Sequence, residues 1–137
     1  MVLKLLAGVF FTVLTLAVST QVFAQADVIQ KRQDAMKANS AAAKEIKGAV
    51  ETKEYATVVG KAKDIMGTAD KIVSLFPKGS TTGKTKAKPE IWEKSDDFSK
   101  AAKNLSKAAS ELASAAKAGN AADVDVKVKA LGEACNS

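Results

Sequence analysis

The sequence lacks histidine altogether and contains a single cysteine, two prolines and few aromatic residues. Without histidine the chain itself offers no histidine metal site, no histidine general base and no histidine-based catalytic triad. The lone thiol, Cys135, cannot close a disulfide within the chain. No other nucleophile–base pair or acid–base pair stands out in the sequence. We therefore expect a protein that is not an enzyme.

Positive charge is in moderate excess, with 21 Lys and Arg against 15 Asp and Glu, for a net charge of +6. Most lysines occur singly in segments of helical periodicity, which is typical of a solvated surface. The one local basic cluster lies at residues 78–88. It suits an acidic redox partner, whereas nucleic acid binding needs a denser basic face, so we expect no nucleic acid partner.

The N-terminus reads as an export signal. Lys4 precedes an uncharged apolar run over residues 5–18, and small residues then occupy the spacing that a signal peptidase needs, at Ala24 and Ala26. We expect residues 1–25 to be a signal peptide and residues 26–137 to be one periplasmic domain. A transmembrane anchor is the alternative, but the run is short for a membrane span, and we expect no stable membrane insertion after cleavage.

Four segments with helical periodicity follow the leader. Ile29, Met36, Ala43 and Val50 recur every seven residues, as in the seam of a helix bundle. Valines near residue 126 alternate as in a strand, but there is no second strand to pair with. We predict an all-α, antiparallel four-helix bundle of up-down-up-down topology. The first two helices span about residues 27–50, with Asp27 as N-cap, and 52–76, ended by Pro77. The third spans 95–118, with Ser95 as N-cap and Gly119 as C-cap. The fourth runs from about Asn120, which forms a capping-box-like arrangement with Asp123, to the last residue.

The C-terminal residues match the beginning of a haem-attachment motif. A c-type haem is held by Cys-x-x-Cys-His, in which two thiols add to the vinyl groups and the histidine faces the iron. Cys135, Asn136 and Ser137 supply the first cysteine and both spacers. We expect Cys and His to come next, which makes the sequence a fragment that stops within the motif.

Three blocks of the sequence, spread over residues 27–137, resemble the cytochrome c′ family, also called class II cytochromes c. The first belongs to the first helix, the second precedes the third helix, and the third leads into the haem-attachment motif. They read Ile29-x-x-Arg32-Gln33-x-x-Met36-Lys37, then Lys88-Pro89-Glu90-Ile91-Trp92 followed by Phe98, and Leu131-Gly132-x-Ala134-Cys135.

The resemblance implies a single covalent haem c near the open end of the bundle. Cys135 would form a thioether to the haem, and Met36 would be the distal ligand of the iron, which gives a low-spin electron carrier. Arg32 and Gln33 would lie near the haem propionates, and Trp92 would pack beside the pocket. The proximal His and the second Cys of the motif are absent from this sequence.

Other interpretations remain open for the same residues. Met36 is equally a core methionine of a helix seam, and Arg32 is equally a rim residue whose aliphatic stem covers apolar surface. A five-coordinate haem that binds NO or CO is the main alternative to Met36 ligation. A haem-free bundle that acts as an interaction module is the third. Redox proteins of the periplasm are the expected partners, and a homodimer is possible for this family.

Overall fold

The computed structural model of the chain describes residues 17–137, so most of the expected signal peptide lies outside it. Helices make up most of the described part, and no strand occurs in it. The four long helices confirm the predicted all-α bundle. The elements are α1 (Ala17–Glu51), α2 (Tyr55–Ile72), a 3₁₀ turn (Val73–Leu75), α3 (Glu90–Glu93), α4 (Ser95–Ala118) and α5 (Ala121–Asn136).

Helix α1 begins earlier than the sequence pattern predicted. The assignment of Asp27 as an N-cap is wrong, because the helix runs through this position from at least Ala17. Asp27 instead pairs with Lys31 one turn later, at 2.6 Å between the carboxylate and the ammonium. Such an exposed i, i+4 pair is common on helix surfaces, and the aspartate that resembled a cap is an ordinary surface residue.

Helix α2 is shorter than predicted at both ends. A tight turn with Lys53 at a φ of 59° separates it from α1, so it starts at Tyr55. Its last turn tightens into the 3₁₀ segment before Phe76, and Pro77 then excludes further helix because it has no backbone N–H to donate. The end of α2 therefore places the Phe76 ring beside Arg32, in the first half of α1.

The junction between α4 and α5 confirms the predicted signals. Gly119 ends α4 with a φ of 71°, a left-handed conformation that glycine adopts at low cost. Asn120 caps α5, and its Oδ1 accepts a hydrogen bond of 3.2 Å from the backbone N–H of Asp123. Ser95 is the first residue of α4 and makes no capping hydrogen bond, so its assignment as an N-cap is wrong.

One end of the bundle is filled by large side chains, and we call it the closed end. Here the second half of α1, the first half of α2, the second half of α4 and the start of α5 pack together. Full burial of each aliphatic side chain contributes about 1.5–3 kcal/mol to folding. The side chains that define the closed end are all less than 2% exposed: Ile46, Val58, Ile65, Leu112 and Val124.

None of the helices within residues 17–137 combines the length and the apolar character that a membrane crossing requires.

Candidate functional site

The opposite end of the bundle contains a cavity of about 1060 Å³. We call this region the cavity end. Its volume is at the upper limit of ordinary small-molecule sites, which span about 300–1,000 Å³. The cavity exists because several wall positions on α2 and α4 are alanines, namely Ala69, Ala101 and Ala102, which leave space where leucines would fill the bundle. Larger apolar side chains complete the wall: Ile29, Ile72, Phe76, Ile91, Phe98 and Leu105.

Met36 and Cys135 both line this cavity, although 99 positions separate them in sequence. Met36 follows the heptad pattern of α1 but is 55% exposed. Its interpretation as a core methionine is therefore wrong, because the seam faces the cavity at this level and not a neighbouring helix. Cys135 lies on the last turn of α5 and is surface-accessible. The two sulfur-containing side chains thus border the same space from different helices.

The thiol of Cys135 is in its protonated form at neutral pH. Partial burial against the end of the bundle raises the pKa of this thiol above its ordinary value. A raised pKa lowers the fraction of thiolate, which is the nucleophilic form.

Arg32 is buried, with only 4% of its surface exposed. Its Nε donates to the carbonyl oxygen of Leu75 at 2.6 Å, and its Nη2 donates to that of Ser80 at 2.9 Å. The guanidinium carbon also lies 4.4 Å from the centroid of the Phe76 ring, within cation–π range. Burial lowers the pKa of this guanidinium, which nevertheless stays charged because arginine is so basic. Its interpretation as an exposed rim residue is wrong.

One nitrogen of the Arg32 side chain is left without a partner. Nη1 is buried and makes no hydrogen bond, although Arg32 lines the cavity. An unsatisfied buried donor on a cation is costly, and native structures rarely retain one without a reason. A carboxylate of a bound group would satisfy it with a charge-assisted hydrogen bond.

The loop between the 3₁₀ turn and α3 is fixed to α1 along its length. Gln25 donates to the carbonyl oxygen of Gly79 at 2.7 Å, and Gln33 donates to that of Lys84 at 2.8 Å. Gly83 has a φ of 108°, and a Cβ there would meet Ile29 at 3.3 Å, so glycine permits this close approach. The loop therefore forms part of the cavity wall, which explains why so long a connection is ordered.

Trp92 packs beside the cavity but does not line it. Its indole N–H is shared between the carbonyl oxygens of Phe76 at 3.1 Å and Pro77 at 3.0 Å. Its ring lies 6.0 Å from that of Phe76, which in turn contacts the Phe98 ring at 4.8 Å. Trp92 therefore supports the aromatic wall from behind.

The residues of the cavity fit a large, flat, mainly apolar group that carries carboxylates. The wall is mostly aliphatic and aromatic, and Arg32, which keeps one unpartnered guanidinium nitrogen, belongs to it. A thiol and a thioether are available for covalent attachment and for iron. Haem c has these properties. The chain itself holds no histidine to serve as the proximal ligand.

Sequence reasoning missed two residues that build the site. The aromatic ring of Phe76 contacts Arg32, Trp92 and Phe98, yet in sequence it read only as the last apolar residue of a helix. Ser80 is 1% exposed and supplies the carbonyl that Arg32 binds. Phe76 had one available signal, its position directly before a helix-ending proline. Ser80 had none, because its burial depends on a contact with a residue 48 positions away.

The chain is similar in sequence to known proteins. The family model described as cytochrome c′ matches residues 27–137. Cytochrome c-554 of Cereibacter sphaeroides is 37% identical over 92 residues, which are 64% of this chain and 60% of that protein. The chain thus spans about three fifths of the length of this curated relative.

Cytochromes c′ of known structure also share the fold of this chain. The crystal structure of cytochrome c′ from Thermochromatium tepidum superposes with a TM-score of 0.75 at 28% identity, covering 82% of this chain and 90% of that one. A second cytochrome c′, described as having a ligand-controlled dimer dissociation, superposes with a TM-score of 0.74 at 27% identity over the same shares.

Proposed function

Because the chain belongs to the cytochrome c′ family, whose cofactor is haem c, we propose that it is an electron-transfer protein in which Met36 is the distal ligand of the haem iron. One observation carries the proposal: Met36 and Cys135 line the same cavity as Arg32, a residue with one unpartnered nitrogen. Haem supplies a one-electron couple at its iron. The protein supplies attachment, orientation and the electrostatic surroundings.

Each cavity residue has a separate role in this proposal. Cys135 holds the group through a thioether, and Arg32 pairs through Nη1 with a propionate carboxylate. The Met36 thioether gives the iron a soft distal ligand, and Met/His ligation raises the reduction potential of a haem. Gln33, whose amide is engaged with the Lys84 carbonyl oxygen, keeps the loop against the propionate side. Trp92 supports the wall through Phe76.

A five-coordinate haem that binds NO or CO is the second candidate. One observation favours it, namely the 55% exposure of Met36. A side chain so exposed is weakly held in place, which would leave the distal side open to a small ligand.

An absorbance experiment separates the two candidates. The chain is extended after Ser137 by Cys and His, loaded with haem and compared with its Met36→Ala and Met36→Leu variants. Met36 ligation predicts a low-spin spectrum that becomes high-spin in both variants. A high-spin spectrum in the parent, with CO bound equally well by all three proteins, contradicts ligation and supports gas binding. The unextended chain serves as the control for the contribution of the completed motif.

Export and self-association are part of the same proposal. Residues 1–25 would be removed on passage to the periplasm, and N-terminal sequencing of the periplasmic protein tests this. Removal of residues 1–25 would also remove the hydrogen bond from Gln25 to the carbonyl oxygen of Gly79. Cleavage one residue earlier, after Ala24, would keep this hydrogen bond, so the exact site matters. The dimer behaviour described for a similar cytochrome c′ supports a homodimer, which light scattering on the haem-loaded protein tests.

A further inference from the structure

The aromatic ring of Phe76 lies against a buried cation of the cavity wall. The guanidinium carbon of Arg32 is placed over this ring, 4.4 Å from its centroid. We propose that Phe76 is a positioning residue, which holds the Arg32 side chain so that Nη1 can pair with a carboxylate of the bound group. The inference rests on the proposed haem site and adds to it a residue that acts on the carboxylate through Arg32.

Two hydrogen bonds fix one edge of the guanidinium plane of Arg32. Nε donates to the carbonyl oxygen of Leu75 at 2.6 Å, and Nη2 donates to that of Ser80 at 2.9 Å. These bonds leave the plane free to tilt about the line that joins the two donors, and such a tilt would displace Nη1. A ring packed against the guanidinium opposes the tilt. Phe76 therefore supplies the constraint that the two carbonyl oxygens do not.

The ring of Phe76 also compensates for the burial of the charge. Arg32 is only 4% exposed, so water solvates little of its guanidinium. The face of an aromatic ring attracts a cation, and this attraction is stronger where water is excluded. Among residues 17–137, no carboxylate forms an ion pair with Arg32. A leucine in place of Phe76 would be apolar as well but would lack the attraction for the cation.

The position of Phe76 is set by its place in the chain and by two other rings. Its backbone leaves helical geometry, at a φ of −121° and a ψ of 57°, because a proline disfavours helix at the residue before it. The ring of Phe98 packs edge-on at 4.8 Å between centroids, and that of Trp92 lies 6.0 Å away. The ring that positions Arg32 is therefore itself held from more than one side.

Phe98 offers a matched control for Phe76. It also lines the cavity, and its ring contacts that of Phe76. In the part of the chain that the structure describes, only the rings of Phe76 and Trp92 lie within cation–π range of Arg32. Truncation of Phe98 thus removes aromatic wall and leaves the contact between Phe76 and Arg32. The two phenylalanines separate positioning of the cation from plain apolar contact with the ligand.

Binding of a metal-free porphyrin tests the inference. Protoporphyrin IX, which carries propionate carboxylates, is compared with its dimethyl ester, in which both are uncharged. The chain is used without haem, and quenching of the fluorescence of Trp92, its single tryptophan, measures the affinity for each ligand. The proteins compared are the parent chain and the variants Phe76→Leu, Phe76→Tyr, Phe98→Leu and Arg32→Met.

We expect the parent to bind the diacid about tenfold more tightly than the ester. Phe76→Leu should remove most of this preference, as Arg32→Met does, whereas Phe76→Tyr should keep it within about twofold. Phe98→Leu should weaken the binding of both ligands equally. A preference that survives in Phe76→Leu would overturn the inference and leave Phe76 as a wall residue only. A parent without any preference would overturn it too, because Nη1 would then receive no carboxylate.

A double-mutant cycle on the ligand-free chain provides a second measurement, which does not depend on porphyrin binding. Phe76→Leu, Arg32→Met and the double variant are unfolded in urea. Direct contact predicts a coupling of about tenfold in the unfolding equilibrium constant, and the same cycle with Phe98→Leu should give about twofold or less. Additive losses in the first cycle would contradict the positioning role. Neither measurement involves iron, so a failure of Met36 ligation is recognised separately, in the absorbance experiment.

Discussion

The two ends of the bundle are built from the same helices and the same seven-residue repeat, yet one is filled and the other is hollow. Leu112 at the closed end is fully buried, whereas Leu105, two turns earlier on α4, borders the cavity and is partly exposed. Leu112 belongs to the buried cluster that includes Ile46, Val58 and Ile65. Leu105 packs against this cluster but also borders the cavity, whose lining includes Ala101 and Ala102.

The comparison shows how a small bundle divides its residues between stability and function. The closed end contains the main cluster of fully buried side chains, which joins all four long helices. The cavity end keeps a space of about 1060 Å³, which forfeits packing energy there. Only a bound group of matching shape would restore that energy.

The largest effect is expected for Leu112→Ala, which should lower the free energy of unfolding by about 2–5 kcal/mol because it leaves a void in a filled core. Leu105→Ala is the matched substitution at the cavity end. It should cost about 1 kcal/mol or less, since the leucine already borders empty space. Urea denaturation of both variants measures the difference. Equal losses would mean that the two ends are equally packed.

Replacing Arg32 by Met should lower the free energy of unfolding by about 2–3 kcal/mol, because the carbonyl oxygens of Leu75 and Ser80 lose a charged donor. The control is Lys31→Met, the neighbouring exposed cation, which should change stability by less than about 0.5 kcal/mol. Denaturant melts provide both values. A loss no larger than that of the control would show that Arg32 does not hold the loop in solution.

At the closed end, Asn120→Ala should lower the free energy of unfolding by about 1 kcal/mol, because the first turn of α5 loses the hydrogen bond to the backbone N–H of Asp123. Asn120→Asp is the matched control and should retain most of the stability, since aspartate caps equally well. Thermal unfolding followed by circular dichroism compares the two. Equal melting temperatures for the alanine and aspartate variants would contradict a capping role.

The smallest effect on stability is expected for Met36→Ala, at less than about 0.5 kcal/mol, because the side chain is already 55% exposed. Urea denaturation of the haem-free chain measures it. A loss above about 1 kcal/mol would place Met36 in the core in solution and weaken the contrast between the two ends.

Local patterns predicted the helices well, since periodicity and end signals are properties of neighbouring residues. The range of α4, the left-handed Gly119 and the Asn120 cap were all anticipated for this reason. The start of α1 was not, because an aspartate at a helix start and one on a helix surface look alike in sequence. Asp27 belongs to the second kind.

The site was predictable only in part. The family resemblance brought Met36, Arg32 and Cys135 together, and the cavity includes all three. Their surroundings depend on contacts between distant segments, which periodicity does not encode. The bond from Arg32 to Ser80 spans 48 positions, and the ring of Phe76 reaches α1 only after the chain has turned back. Such contacts follow from the completed bundle.

The attachment of the loop at residues 77–88 to α1 has a consequence for its lifetime in the presence of proteases. A lysine-rich surface loop is ordinarily an early target of trypsin, because exposed tips enter a protease cleft easily. Here the carbonyl oxygens of Ser80 and Lys84 are held by Arg32 and Gln33 of α1, which the proposed removal of residues 1–25 leaves in place. Cleavage requires these hydrogen bonds to open first. The rate of proteolysis in this loop is therefore limited by how often the loop detaches from α1.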